Sequence, residues 1–224
     1  MLSFGRRHLL LLITRSILFT VACVVCPPAL ADAVLEGKDL IHALRQGGYN
    51  IYFRHTQTDW SQIDIIVNAG DWIDCNPSRV RQLSESGRRT ARTIGEAMRR
   101  LRIPVSRVLA SPYCRTVETA TLMDLAPVEA TTDVINMRAA EHVGGTNAVV
   151  ATARERLAGV PRAGTNIVIV AHGNVVRSAA RVNPLEGEGL VFRPDGNGEF
   201  AFVGRLTPEQ WEELAGSMSG TQEQ

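Results

Sequence analysis

The chain has 224 residues, enough for one sizeable domain, and 45% hydrophobic and 21% charged residues are proportions typical of a globular protein. Its formal net charge is only +1, so no overall electrostatic field would attract it to nucleic acid. Length, composition and charge therefore favour a globular domain without nucleic acid as a partner.

The first 31 residues are typical of an export signal. Arg6 and Arg7 precede a long apolar run, and Ala29–Ala31 suit cleavage before Asp32. The alternatives are an uncleaved N-terminal helix and a lipoprotein attached at Cys23, although "TVAC" is a poor lipoprotein signal. Export predicts a periplasmic or secreted protein with no stable membrane anchor, and the export route stays undecided.

The predicted division of the chain is a signal peptide over residues 1–31, one domain over 32–217 and a flexible tail over 218–224. Cleavage would remove two of the four cysteines and leave Cys75 and Cys114. An even number of cysteines in an oxidising compartment predicts a disulfide between them. The alternative is two buried thiols.

The first predicted elements are a helix, a buried strand and a long loop. "GKDLIHALRQGG" has helical spacing and ends in two glycines, and "YNIYFRH" follows as a strand. The loop from Thr56 to Pro77 carries two tryptophans and four acidic residues, which are Trp60, Trp72, Asp59, Asp64, Asp71 and Asp74. Long ordered loops in compact domains are often functional.

The remaining elements alternate between helices and strands. "LSESGRRTARTIGEAMRRLRI" predicts an amphipathic helix, "VSRVLAS" a strand, and Pro112 the start of a second helix. A further helix capped by Thr146, the strand "TNIVIVAH" and the helix "GNVVRSAARV" follow. A hairpin around Asp195 and a helix opened by a Thr207–Gln210 capping box complete the domain, with a frayed end expected after Leu214. This alternation favours an α/β fold with a largely parallel central sheet.

Three predicted strands end in side chains that suit a phosphate. Arg54 and His55 end the first strand, the second leads into a helix with Arg115 in its first turn, and His172 follows the third. Ligands of open α/β sheets bind outside the carboxyl ends of the strands, where helix starts favour anions. A single such histidine or arginine is more often structural, but the three together predict a phosphate-binding crevice.

Four segments resemble the ordered motifs of the histidine phosphatase superfamily, in its phosphoglycerate-mutase-like branch (branch 1). They are "FRHTQTD", "LSESGRRTARTIGEAM", "VLASPYCRTVETA" and "VAHGNVVR", and they extend from residue 50 to about residue 181. The resemblance implies a three-layer α/β/α fold and a phosphohistidine intermediate. It implies that His55 is the nucleophile and that Arg54, Arg115 and His172 bind the transferring phosphoryl group.

These residue types suit phosphoryl transfer. Neutral imidazole is a good nucleophile near neutral pH, and a backbone carbonyl would fix its tautomer. Arginine offers planar, permanently charged donors to phosphate oxygens. Two arginines and a protonated His172 are expected to supply the positive charge, so no metal or other cofactor is expected.

The leaving alkoxide needs a proton, and Glu141 is the predicted general acid. It lies close to where the mutase-like branch places its acid. The alternatives are that Glu141 is an ordinary exposed glutamate, or that Asp59 or Asp64 is the acid.

The sequence departs from the family pattern at two positions. Thr56 and Asn174 occupy places where the family usually has glycine, and the Thr56 hydroxyl is predicted to donate to the phosphate. In the loop, Trp60 and Trp72 could either line a pocket or fill a small core. Arg79 and Arg81 could either bind a second anionic group or lie exposed.

The sequence therefore predicts an exported phosphatase that hydrolyses a small phosphomonoester through phospho-His55. A mutase and a phosphohistidine-protein phosphatase are the enzymatic alternatives. A non-catalytic phosphate- or polyanion-binding protein is the alternative from another class. The natural substrate and the oligomeric state stay undecided.

Overall fold

The computed structural model describes residues 34–219. The predicted signal peptide over 1–31 and residues 220–224 of the predicted tail lie outside the described residues. Within the described range, no helix has the length and apolar character needed to cross a membrane.

A six-stranded mixed sheet forms the centre of the domain. Its strands are β1 (Asn50–Arg54), β2 (Val105–Ala110), β3 (Val128–Ala130), β4 (Asn166–Ala171), β5 (Gly189–Pro194) and β6 (Phe200–Leu206). The order is β3-β2-β4-β1-β5-β6; the pairs from β3 to β1 are parallel, whereas β5 and β6 join antiparallel. The largely parallel sheet and the terminal hairpin are confirmed, and the short edge strand β3 was not predicted.

Helices cover both faces of this sheet. They are α1 (Gly37–Gln46), α2 (Glu85–Arg100), α3 (Cys114–Met123), α4 (Thr146–Ala158), α5 (Gly173–Ala180) and α6 (Pro208–Ser219). Apolar residues of α1, α2, α3 and α6 share one core with the sheet, and those of α4 and α5 share the other. The three-layer α/β/α architecture is therefore confirmed.

Three short 3-10 helices lie in the connections, at Asp71–Ile73, Thr132–Val134 and Met137–Val143. The second and third contribute buried apolar residues to the core on the α4 and α5 side, and the first contributes Trp72 to the same core.

Local sequence signals explain where the best-predicted helices lie. In α2, apolar residues at helical spacing (Ala91, Ile94, Ala97 and Met98) are all buried. The N-cap Ser84 accepts a hydrogen bond from the backbone of the first turn. Short apolar runs in the strands place alternate side chains into the two cores.

Helix ends were predicted less well than helix positions. Helix α3 begins at Cys114, two residues after Pro112. Thr146 lies inside α4, whose N-cap is Gly145, so the predicted side-chain cap is wrong. The Gln210 side chain accepts from the Thr207 backbone at 2.9 Å, which confirms the capping box. Helix α6 then continues to Ser219, so the chain does not fray after Leu214 and the first two residues of the predicted tail are helical.

Candidate active site

A crevice of about 230 Å³ opens at the carboxyl ends of the central strands. Strand β4 lies between β1 and β2, so the ends of these three parallel strands are adjacent. The lining residues are Arg54, His55, Trp60, Arg81, Asn136, Arg138, His172, Gly173, Asn174, Arg177 and Asn183. Four of them are arginines and, in the part of the chain that the structure describes, none is acidic.

His55 follows β1 and is buried, with 2% of its surface exposed. Its backbone N–H donates to the carbonyl of Ala171 at 2.9 Å, and its Nδ1 lies 2.9 Å from the carbonyl oxygen of Thr56. A carbonyl can only accept, so Nδ1 carries the proton and Nε2 keeps its lone pair. Burial and then the positive charge of Arg115 lower the pKa of His55 well below its usual value, so the ring is neutral at physiological pH.

His172 precedes α5, and its ring lies edge-on to that of His55 with the centroids 5.6 Å apart. The Tyr52 hydroxyl donates to the His172 carbonyl at 2.8 Å and accepts from its N–H at 3.1 Å. The Nε2 atom of the His172 ring lies 2.9 Å from the Ser111 hydroxyl. Burial and then Arg115 lower the pKa of His172, so its ring is neutral in the free crevice, and the protonated form expected with a bound phosphate stays a prediction.

Arg54 lies on one side of the crevice, with 20% of its side chain exposed. One terminal nitrogen donates to the carbonyl of Pro184 at 3.2 Å, and the other donates to the Glu186 carboxylate at 3.3 Å. A Cβ at Gly173 would lie 3.1 Å from Arg54 Cδ, so a glycine there leaves room for this side chain. Arg54 thus reaches the place that the sequence predicted.

Arg115 is fully buried, and its guanidinium is bonded to a carboxylate from the long loop. Nη1 and Nη2 donate to the two oxygens of Asp64 at 2.9 and 3.0 Å, and Nη1 also donates to the carbonyl of Arg81. The guanidinium carbon lies 4.6 Å from the Tyr113 ring centre. Arg115 therefore lies behind the crevice, paired with Asp64, instead of lining it.

Three other predicted residues do not line the crevice. Thr56 is buried, and its hydroxyl lies 3.3 Å from the Thr119 hydroxyl. The Glu141 side chain is 77% exposed and pairs with His142 at 3.5 Å. Asp59 accepts from Ser61, and these hydrogen bonds lower its pKa, which disfavours it as an acid. The role of Glu141 stays a prediction.

Of the two tryptophans and the two arginines of the loop, one of each kind lines the crevice and the other does not. Trp72 is 7% exposed and packs in a core, whereas Trp60 is 66% exposed and lines the crevice. The Arg81 guanidinium lies 3.9 Å from the Trp60 ring centre, and burial lowers its pKa. Arg79 instead pairs with the loop carboxylates Asp71 and Asp74.

Sequence reasoning did not assign Arg138 and Arg177 to the crevice, and it left open whether Arg81 binds an anion. Arg177 lies one helical turn after Gly173, so helical spacing could have indicated it. Arg138 and Arg81 come from a 3-10 helix and an irregular loop, where no periodic pattern places a side chain.

Cys75 and Cys114 form a disulfide, with their Cα atoms 5.5 Å apart, which confirms the predicted pairing. The bond attaches the long loop to the first residue of α3, next to Arg115. Among residues 34–219 no group of histidine, cysteine and acidic side chains could hold a metal ion.

Together, the sheet and the crevice define an α/β protein with an arginine-lined crevice built around two neutral histidines. The family model for the histidine phosphatase superfamily (branch 1) matches residues 51–159. Over these residues the chain matches the superfamily, and the match supports phosphatase activity.

Several solved structures are similar to this chain. They include the protein histidine phosphatase SixA with tungstate (18% identity, TM-score 0.49, covering 71% of this chain and 97% of that one). A phosphoserine phosphatase from Entamoeba histolytica with phosphoserine has 12% identity and a TM-score of 0.48, covering 72% and 98%. A mycobacterial glucosyl-3-phosphoglycerate phosphatase has 15% identity and a TM-score of 0.48, covering 72% and 100%. No curated protein sequence matches the chain, and identities this low indicate no substrate.

Proposed function

We propose that this protein hydrolyses a phosphomonoester through a covalent phosphohistidine on His55. The observation that carries the proposal is the state of His55: a buried neutral imidazole, with Nδ1 bonded to the Thr56 carbonyl, in a crevice lined by four arginines. The fixed tautomer leaves Nε2 as the nucleophile, and the arginines match the charge of a phosphate.

The reaction would proceed in two displacements. Nε2 of His55 attacks phosphorus, an N–P bond forms, and the P–O bond to the leaving group breaks. Water then attacks phosphorus and gives a proton to the general acid that protonated the leaving group, the N–P bond breaks, and inorganic phosphate leaves a neutral imidazole. Arg54 and Arg81 would bind the equatorial oxygens, and the charge of Arg115 would act from behind the crevice.

Because Asp64 holds both terminal nitrogens of Arg115, direct contact of Arg115 with a phosphate has two routes. The phosphate could use the buried Nε, which has no hydrogen-bond partner among residues 34–219, or it could displace Asp64. Either route keeps the charge of Arg115 next to the reacting group.

We propose Glu141 as the general acid, acting after its side chain leaves the exposed position next to His142. It shares the 3-10 helix Met137–Val143 with Arg138, which lines the crevice. Residues three apart eclipse in a 3-10 helix, so Glu141 lies on the same face as Arg138, one turn further along. To act there, the Glu141 side chain would have to leave the contact with His142 and turn towards the crevice.

The test of this role compares two leaving groups in Glu141→Gln. A lost proton donor should slow an alkyl phosphate about a hundredfold and a nitrophenyl phosphate much less, because a nitrophenolate leaves without a proton. Glu155→Gln, at an exposed position on α4, is the matched control. An unchanged rate on the alkyl ester would exclude Glu141.

A non-catalytic phosphate-binding protein is the second candidate. The observation that favours it is the absence of an acidic side chain among the described residues that line the crevice. A binder would bind phosphate through the arginines without forming a covalent bond.

Trapping the intermediate distinguishes the two candidates. Rapid mixing with excess nitrophenyl phosphate should release a burst of one nitrophenolate per protein and leave acid-labile, base-stable phosphate on the chain. His55→Ala should abolish both signals, and His42→Ala, at an exposed histidine on α1, should abolish neither. Phosphate binding with no burst and no protein-bound phosphate would support the binder.

We also propose that the protein is exported to the periplasm or secreted after cleavage before Asp32. The arginine pair and apolar run of residues 1–31 support this proposal, and a disulfide suits an oxidising compartment. The N-terminal mass of the protein from cell-envelope fractions tests it, and an intact Met1 would contradict it.

A further inference from the structure

A second and larger cavity, of about 1310 Å³, lies beside the phosphate crevice. Its walls come from the segment after β1, the start of α2, and α3 together with the disulfide that precedes Arg115. Its volume exceeds the roughly 300–1,000 Å³ that is usual for small-molecule sites. Inorganic phosphate would fill only a small part of it.

The two cavities meet at Trp60, whose side chain lines both. Glu186 also connects them, because it lines the larger cavity and accepts hydrogen bonds from Thr58 at 3.0 Å and Arg54 at 3.3 Å. Thr58 comes three residues after His55, so their Cα atoms are at most about 11 Å apart. A leaving group on a phosphate at His55 can therefore extend into the larger cavity.

The charge of the larger cavity is opposite to that of the crevice. Its acidic lining residues are Asp59, Glu85, Glu118 and Glu186, and Arg88 is its one basic residue among the described lining residues. Arg88 is already paired with Glu118 at 2.7 Å and Glu85 at 3.8 Å. Glu186 is itself paired with Arg54, but the lining still carries an excess of carboxylates, which disfavours a second anionic group and attracts a cation.

Apolar surface accompanies these carboxylates. Trp60 and Ile73 line the cavity and are 66% and 63% exposed, and Val117 lies in the wall formed by α3. Burial of such side chains by a ligand stabilises a complex by about 25 cal/mol for each Å² of apolar surface. The lining thus suits a bulky group that is partly apolar.

We propose that the larger cavity is the leaving-group subsite, and that it selects bulky, partly apolar phosphate esters whose leaving group is cationic. An uncharged group is accepted less well, and an anionic group is disfavoured. This inference rests on the proposed phosphatase function. It assigns the substrate class: a phosphomonoester at one end and an amine-bearing group at the other.

Three aryl phosphates of similar size and similar phenol acidity test the charge preference. They are the phosphate esters of tyramine (cationic), N-acetyltyramine (neutral) and 4-hydroxyphenylacetate (anionic). The kcat/KM should be highest for the tyramine ester and lowest for the 4-hydroxyphenylacetate ester, and the two should differ by about tenfold or more at low salt. The difference should narrow above 0.5 M salt, because the Debye length is then only about 4 Å. Equal values for the three esters would overturn the proposal.

Substitutions at Thr121 test whether the charge preference arises in the larger cavity. Thr121 is an exposed residue of α3 that lines the larger cavity and has no part in the crevice. Thr121→Trp should lower kcat/KM for the tyramine ester about tenfold, and Thr121→Arg should shift the preference towards the anionic ester. Thr121→Ser is the matched control. Acetyl phosphate, which is small enough for the crevice alone, should be turned over equally by all three variants.

The outcomes separate this inference from the proposed function. Turnover of acetyl phosphate with no effect of Thr121→Trp on any aryl ester would refute the subsite while leaving the phosphatase intact. A wild-type protein that neither turns over acetyl phosphate nor becomes phosphorylated would refute the proposed function, and the subsite with it.

Discussion

The arginine-lined crevice and the larger cavity share Trp60 as a lining residue and are built in different ways. The crevice takes its histidines from the ends of β1 and β4, so the sheet positions them. The cavity takes one wall from the loop after β1, which lies outside the sheet and is held to the rest of the domain by separate local contacts. These include the Thr58–Leu83 bridge, the disulfide and the Asp64–Arg115 pair.

This difference suggests a division of labour between the two regions. Reacting atoms need positions that do not vary, and the sheet supplies them, whereas a loop can change its lining without disturbing the nucleophile. We therefore expect changes to the loop attachments to affect selectivity and stability more than the chemical step.

Removal of the disulfide should have the largest effect on stability. Cys75 and Cys114 are 39 residues apart, and the chain-entropy model gives about 4 kcal/mol for closing such a loop. A double Cys75→Ser and Cys114→Ser variant should lose about this much unfolding free energy, measured by urea denaturation. Its kcat/KM should fall more for the tyramine ester than for acetyl phosphate. Equal activity of the wild-type protein with and without reductant would show that the disulfide does not order the site.

Asp64→Asn should destabilise the protein by about 3 kcal/mol. Asp64 and Arg115 are 3% and 0% exposed, and the substitution leaves a buried guanidinium without its counter-charge. Urea denaturation measures the effect. The matched control is Asp74→Asn, which removes a partner of the half-exposed Arg79 and should cost less than about 1 kcal/mol. Equal losses in the two variants would mean that the buried pair does not hold the loop.

Arg81→Ala should lower kcat/KM for acetyl phosphate about a hundredfold, the usual cost of removing one donor to a transition-state anion. Arg79→Ala is a close control, because Arg79 lies two residues away in the same loop but pairs with carboxylates outside the crevice. Its kcat/KM should stay within about twofold of the wild type. A similar loss in both variants would indicate that the loop, rather than the Arg81 guanidinium, had been disturbed.

Acid should weaken the fold through the two buried histidines. Their pKa values are lower in the folded protein than in the unfolded chain, so below about pH 6.5 the unfolded chain binds protons that the folded protein does not. Unfolding free energy should therefore fall as the pH is lowered from 6.5, by up to about 1.4 kcal/mol per pH unit for each histidine. His55→Asn should reduce this slope, and His42→Asn, at an exposed position, should leave it unchanged. Equal pH slopes of the unfolding free energy in the wild type and in both variants would contradict a lowered pKa of His55.

Much of the fold and the centre of the site could be predicted from the sequence. Helical spacing predicts α1 and α2, and the apolar run ending in "AH" predicts β4 followed by α5. Because parallel strands present their carboxyl ends at one edge, the positions of His55 and His172 in the sequence were enough to bring them together. These features depend on local patterns and on one rule of sheet topology.

The other features were decided by the tertiary structure alone. Sequence spacing cannot show that Asp64 reaches Arg115 from 51 residues away, or that Arg81 lines the crevice while Arg79 pairs at the surface. It also could not show that Glu141 points to solvent.

The protonation state of His172 also depends on the tertiary structure, because burial and nearby arginines lower its pKa. Irregular loops have no periodicity, and burial is a property of the whole fold. The sequence by itself therefore determined the architecture and the position of His55, while packing of the loop decided the charges around this histidine and the shape of the larger cavity.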